Sequence, residues 1–118
     1  MLGSRGYDVI LYDNRVGCMM VRIWSTKIVK GREAAYLKFV REVSMPMFRK
    51  QEGLLGFRVL LAAGKTQVLT FWRDTDSMRG LEYNPLYLSM VDSIRAAGFL
   101  EGLPFVEIVK SPFELKVT

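Results

Sequence analysis

LLGFRVLLAAGKTQVLTFW, residues 54–72, decides the fold. Two runs rich in aliphatic, β-branched and aromatic residues flank the tight turn Ala63-Gly64-Lys65-Thr66, which reads as an antiparallel hairpin. Upstream, residues 32–51 read as a helix, because Tyr36, Phe39, Val40, Val43 and Met47 recur at helical steps and form one apolar stripe. Pro46 lies inside that segment and predicts a kink or a second helical piece, and Gly53 predicts its end. Downstream, residues 76–97 read as a second helical region broken at Asn84-Pro85. Asn is a good helix cap and Pro suits the first helical position, so a new helix is expected there, ending at Gly98.

Further out, VRIWSTKIV (21–29) alternates as a first strand, and PFVEIVK (104–110) supplies a last one. The order β-α-β-β-α-β defines an α+β, ferredoxin-like protomer with both helical layers on one face of a four-stranded antiparallel sheet. The strands are apolar at both parities, with Ile23 and Ile28 against Trp24 and Val68 against Leu69 and Phe71. A sheet covered on one side does not need that, so a second copy is expected on the open face, giving a homodimer. Residues 1–18 read as an N-terminal extension. In it GYDVILYD (6–13) has the character of an extra strand and DNRVG (13–17) reads as a turn, with the main domain spanning 19–118. Phe113, Leu115 and Val117 alternate in a short tail that reads as a fifth strand.

Half the 118 residues are hydrophobic and a quarter charged, which fits one globular domain and argues against disorder. The formal charge of +5 comes from scattered Lys and Arg. It reads as a solvated basic surface, and no nucleic-acid recognition motif accompanies it. A single cysteine, Cys18, fits a reducing, cytoplasmic setting, and no apolar run is long enough to span a membrane.

The chain contains no histidine, so metal or haem ligation through imidazole and Ser-His or Cys-His catalysis all lack their central group. No metal or cofactor is expected. The fragment Gly64-Lys65-Thr66 superficially matches a phosphate-binding loop, but Val59 stands where that motif needs glycine, and a strand follows it. Asp74 and Asp76 are the one close acid pair, and their place in a first helical turn reads as capping. What remains is an aromatic and amide set in which Tyr36 and Phe39 lean toward core roles. Trp24 and Trp72 can serve as core or as the flat wall of an aromatic pocket.

In this order and spacing, Gly31, Pro46, EGLLGFRVL (52–60) and VLTFWRDTDSM (68–78) resemble the antibiotic biosynthesis monooxygenase (ABM) family of the dimeric α/β-barrel superfamily. The resemblance runs from Val21 to Lys110 and includes Leu100-Glu101-Gly102 before the last strand. It implies a dimer packed through its sheets, with a ligand cavity between each sheet and its own helices. Members include cofactor-free oxygenases of polycyclic phenols and quinols, and haem-degrading oxygenases. Many members place a histidine nine residues after the strand-end Trp, where this chain has Leu81. The positions used for haem degradation hold Trp24, Leu81 and Val91, so that route lacks its ligand.

Aligned this way, Leu81, Asn84, Leu88, Val91 and Arg95 follow helical steps toward one side, and Arg22, Trp24 and Thr26 share a strand parity facing the cavity. Arg22 and Asn84 are the candidate catalytic residues, one stabilising a phenolate and the other orienting an oxygen. Trp24, Tyr36, Phe39, Trp72, Leu81 and Val91 are the candidate substrate-binding wall. The expected activity is cofactor-independent monooxygenation of a small aromatic compound. A non-catalytic, ligand-binding or structural dimer of the same fold is the competing reading, and a non-oxidative isomerase or decarboxylase lacks an identifiable base.

Overall fold

The protein is described by a computed structural model covering residues 7–11 and 19–117. The expected turn at 13–17 and Cys18 lie outside the described residues. Strands β2 (Met19–Ile28), β3 (Leu54–Ala62), β4 (Lys65–Trp72) and β5 (Leu100–Ser111) form one antiparallel sheet in the order β3-β4-β2-β5. This is the ferredoxin-like order that the β-α-β-β-α-β reading predicts. Strand β1 (Tyr7–Leu11) pairs antiparallel with β6 (Phe113–Val117) in a separate two-stranded sheet.

The central hairpin closes through Ala63 and Gly64, with Ala62 opposite Lys65 and Gly64 at φ +69°. A positive φ at the second turn position is what glycine supplies without steric cost. Thr66, Val68, Thr70 and Trp72 alternate as buried residues along β4, the two-residue period of a strand with one packed face.

The first helical segment is continuous in space but changes type. Helix α1 (Glu33–Phe39) passes into a π-helical turn over Val40–Ser44, and α2 (Met45–Arg49) follows. Pro46 has no N–H and its ring would collide with the carbonyl four residues back. The wider turn accommodates it, with the Met45 N–H reaching five residues back to the Val40 carbonyl. Gly53, at φ +82°, then reverses the chain into β3. A Cβ there would overlap the Ser77 side chain, so this turn and Ser77 pack closely through the missing side chain.

Helix α3 (Thr75–Gly80) is capped by Asp74, whose Oδ1 accepts from the Ser77 N–H at 2.8 Å. That hydrogen bond, with those from Ser77 and Arg73 side chains, holds the Asp74 carboxyl below the usual carboxylate range. A 3-10 turn over Leu81–Tyr83 leads to α4 (Pro85–Ala96), which restarts at Asn84-Pro85 as the sequence predicts. Two core clusters lie under the helices. One gathers Met20, Met47, Phe48, Trp72, Met78 and Leu81, and the other gathers Ile28, Tyr36, Val40, Ile94 and Phe99.

The last strand is longer than PFVEIVK. It begins at Leu100 and contains an irregularity, because pairing with β2 skips from Ser25–Phe105 to Lys27–Glu101. Gly102 takes φ +76° in that bulge and Leu103 is thrown into solvent. No helix among the described residues is long and apolar enough to cross a membrane.

Candidate functional site

Between the sheet and the helices lies a partly open cavity of about 260 Å³. From β2, Arg22 and Trp24 face it, because residues two apart on a strand share a face. Their neighbours across the sheet, Val68 on β4 and Val106 on β5, lie in register with Trp24 and complete the floor. The helical wall comes from Tyr36, Val40 and Phe48 on one side and Tyr87, Val91 and Ile94 on the other, with Arg95 also contributing. Among the described residues no carboxylate lines this space.

Arg22 dominates the chemistry. It is only 8 % exposed, and its Nη2 donates to the Tyr87 hydroxyl at 2.9 Å. The guanidinium also lies 5.5 Å from the centroid of the Tyr87 ring, a cation–π arrangement. Among the described residues no Asp or Glu pairs with it. A guanidinium has five N–H donors, and the Tyr87 hydroxyl takes one of them; the nitrogens left over open on the cavity, since Thr26 Oγ1 is the one buried side-chain polar atom without a partner among the described residues. They are available to an anion that enters it.

Tyr36 contributes its ring rather than its hydroxyl. The side chain is fully buried and its hydroxyl lies 2.9 Å from Thr66 Oγ1. Thr66 donates its own proton to the Leu60 carbonyl at 3.3 Å, so Tyr36 is the donor of that pair. Burial raises the Tyr36 hydroxyl above the usual tyrosine value, against the opposing effect of Thr66. It stays protonated and is not a base.

Of the eight expected site residues, the cavity brings together Arg22, Trp24, Tyr36 and Val91. It does not bring in Phe39, Trp72, Leu81 or Asn84. Phe39 packs edge-on against Phe99 at 5.8 Å in the second core cluster. Trp72 and Leu81 are sealed in the first cluster, and Trp72 Nε1 donates to Thr70 Oγ1 at 2.8 Å. Asn84 caps α4, its Oδ1 accepting from the N–H groups of Leu86 at 2.9 Å and Tyr87 at 3.3 Å. Its acceptor is therefore committed to the backbone.

The residue missing from the sequence reading is Tyr87. Its signal was the Asn84-Pro85 restart. Once Asn84 is the cap, Tyr87 is in the first turn of a new helix and its stripe continues through Val91, Ile94 and Arg95. The Leu81-to-Arg95 stripe runs across the break at Asn84-Pro85, and of its members Val91 and Arg95 line the cavity while Leu88 is about half exposed. Asn84 thus caps the first turn of α4, in which Tyr87 stands. Asn84→Ala is expected to lower stability by about 1 kcal/mol, read by urea unfolding. It should also loosen the Arg22–Tyr87 contact without emptying the cavity of its charge.

A second, shallower depression of about 780 Å³ lies around the β5 bulge, where Lys27, Lys65 and Glu101 are all exposed. It carries no buried charge and gives a ligand little to hold.

A ferredoxin-like α+β chain with a cavity between its sheet and its own helices is thus in hand. No protein-family model matches the sequence, and no curated protein matches it. Solved structures do match. A candidate antibiotic biosynthesis monooxygenase from Caulobacter crescentus superposes with a TM-score of 0.69 at 13% identity, covering 81% of this chain and 92% of that one. SnoaB, a cofactor-independent oxygenase from Streptomyces nogalater, superposes with a TM-score of 0.67 at 15% identity, covering 80% of this chain and 94% of that one. A protein of unknown function from Nitrosomonas europaea gives 0.67 at 16% identity, with 81% and 91% covered. The chain shares the fold of these structures, the fold that the sequence resemblance implied.

Proposed function

We propose that this protein is a cofactor-independent monooxygenase acting on a small aromatic compound of phenol, hydroquinone or polyketide-like type. The observation that carries this reading is Arg22, a buried guanidinium without a carboxylate partner, facing an aromatic-walled cavity and bonded to the Tyr87 hydroxyl. Cationic donors fixed in an apolar site stabilise a phenolate far better than water-exposed ones do. Trp24, Tyr36 and Phe48 supply the flat wall.

The reaction needs only dioxygen as co-reactant. The phenol O–H proton leaves by way of Tyr87 or a solvent molecule, and the phenolate passes one electron to dioxygen. Superoxide then joins the ring carbon para to the oxygen, and the peroxide takes up a proton. Loss of that carbon's own proton with cleavage of the O–O bond gives the quinone and one water, so phenol and dioxygen balance quinone and water. Arg22 holds the anion throughout. The test is oxygen consumption with a panel of naphthols and anthrones, comparing the natural protein with an Arg22 variant.

The absence of histidine and carboxylate from the lining favours a second reading, in which the same cavity binds an aromatic anion without turnover. Binding with no oxygen uptake across the panel would select it.

The same reading includes a homodimer formed through the outer sheet face, with residues 1–18 as an extension of the 19–118 domain. That face carries Val21, Ile23, Leu69 and Phe71, and β5 adds Val109 and the largely exposed Phe105. Light scattering is expected to give twice 13.5 kDa, and a stable monomer would overturn the dimer.

A further inference from the structure

The apolar stripe of the first helical segment predicts Val43 facing inward, and the structure puts Ser44 there instead. Val43 is 39 % exposed, whereas Ser44 is buried and lines the cavity with Tyr36, Val40 and Phe48. These four residues stand at steps of four. In an α-helix of about 3.6 residues per turn such a row drifts round the axis. The wider π-helical turn over Val40–Ser44 takes back that drift, so the row stays on the cavity wall. Single π-turns inside helices recur at functional sites.

A serine inside a helix ordinarily bonds the carbonyl four residues back or points to solvent. Ser93 does the first, its Oγ donating to the Ser89 carbonyl at 3.1 Å. Ser44 does neither. It has no hydrogen-bond partner among the described residues, and its oxygen is not sealed in the core, because Thr26 Oγ1 is the one unpartnered atom that is. The Ser44 hydroxyl therefore opens on the cavity with donor and acceptor both uncommitted. The other two hydroxyls of the lining are engaged, Tyr36 with Thr66 and Tyr87 with Arg22.

We infer that Ser44 is a ligand-contacting residue, a neutral hydroxyl that hydrogen-bonds from the helical wall the molecule that Arg22 holds from the sheet. It acts as a specificity-determining residue and not as an acid or base. This rests on reading the cavity as a ligand site, but not on any turnover there. Arg22 stands on β2 and Ser44 on the helical layer, so a ligand bonded to both turns a second polar atom toward the helices. An analogue with an apolar edge in that place leaves the hydroxyl unpaired, and a site discriminates against it on that ground.

The test is calorimetric titration of the full chain and of S44A with 2-naphthol and with the naphthalenediols that add a hydroxyl at position 3, 6 or 7. At least one diol is expected to bind the natural protein more tightly than 2-naphthol. S44A should weaken that diol about fivefold, the loss of one neutral hydrogen bond, and leave 2-naphthol unchanged. Urea unfolding of S44A should show no loss of stability, because the hydroxyl bonds nothing among the described residues. Diol affinities that S44A leaves unchanged, a loss shared equally by 2-naphthol, or a destabilised S44A overturns the assignment and leaves the oxygenase reading untouched. A diol effect without oxygen uptake supports Ser44 and counts against the oxygenase reading alone. No binding of any of these compounds to the natural protein overturns both.

Discussion

Arg22→Gln is expected to lower the rate of oxygenation by about 10²- to 10³-fold, the usual consequence of deleting one donor that holds a developing anion. The side chain is almost fully buried, so bulk solvent cannot replace the lost charge. Glutamine retains a donor for the Tyr87 hydroxyl, so the wall of the cavity is preserved while its charge is removed. The loss should fall on kcat more than on KM for a neutral analogue, because the charge matters most once the phenol has ionised. The rate should also recover at higher pH, since the bound phenol loses the cation that eases its ionisation. Stability should hold or rise, because R22Q removes a buried charge that has no carboxylate partner. Wild-type turnover in a folded R22Q protein would end the case for Arg22.

Trp72→Ala has the opposite signature. It is expected to destabilise the fold by about 3–5 kcal/mol, the cost of emptying a large buried aromatic site. Trp72 is fully buried among Met20, Met47, Phe48, Met78 and Leu81, and its indole N–H is satisfied by Thr70. Thr70 in turn lies 3.5 Å from the Arg22 carbonyl, so the core around Trp72 supports the strand that presents Arg22. Urea unfolding should show the full loss. Where W72A remains folded, ligand binding should persist, because Trp72 does not line the cavity. Weakened binding with unchanged stability would return Trp72 to the ligand wall.

These two residues show where sequence reading reaches its limit. Both stand on strands; of the three residues that strand parity turned to the cavity, Arg22 and Trp24 line it, whereas Thr26 lines the second depression. Parity also puts Trp72 on the helix side, but it cannot say what lies above it. The register sets Trp72 opposite Met20 and Leu54, at the end of the sheet covered by α2 and α3, and there the space is filled. Leu81 is absorbed by the same cluster. Asn84 is legible as a cap from its proline neighbour, but that its acceptor reaches the Tyr87 N–H is seen only in the structure.

The sequence by itself determined the order of elements, the hairpin at Gly64, the restart at Asn84-Pro85 and the ferredoxin-like topology. These follow from local chemistry: two-residue alternation, caps, and backbone angles that only certain residues adopt. It also excluded histidine chemistry by composition alone. Only the tertiary structure decided which aromatic residues became core and which became cavity. It alone brought Arg22, on the first strand of the sheet, against Tyr87 sixty-five residues later, and left that cation without a counter-ion among the described residues. Such a pairing depends on how a helix lies across a sheet, a geometry set by the packing of all the intervening side chains rather than by any local pattern.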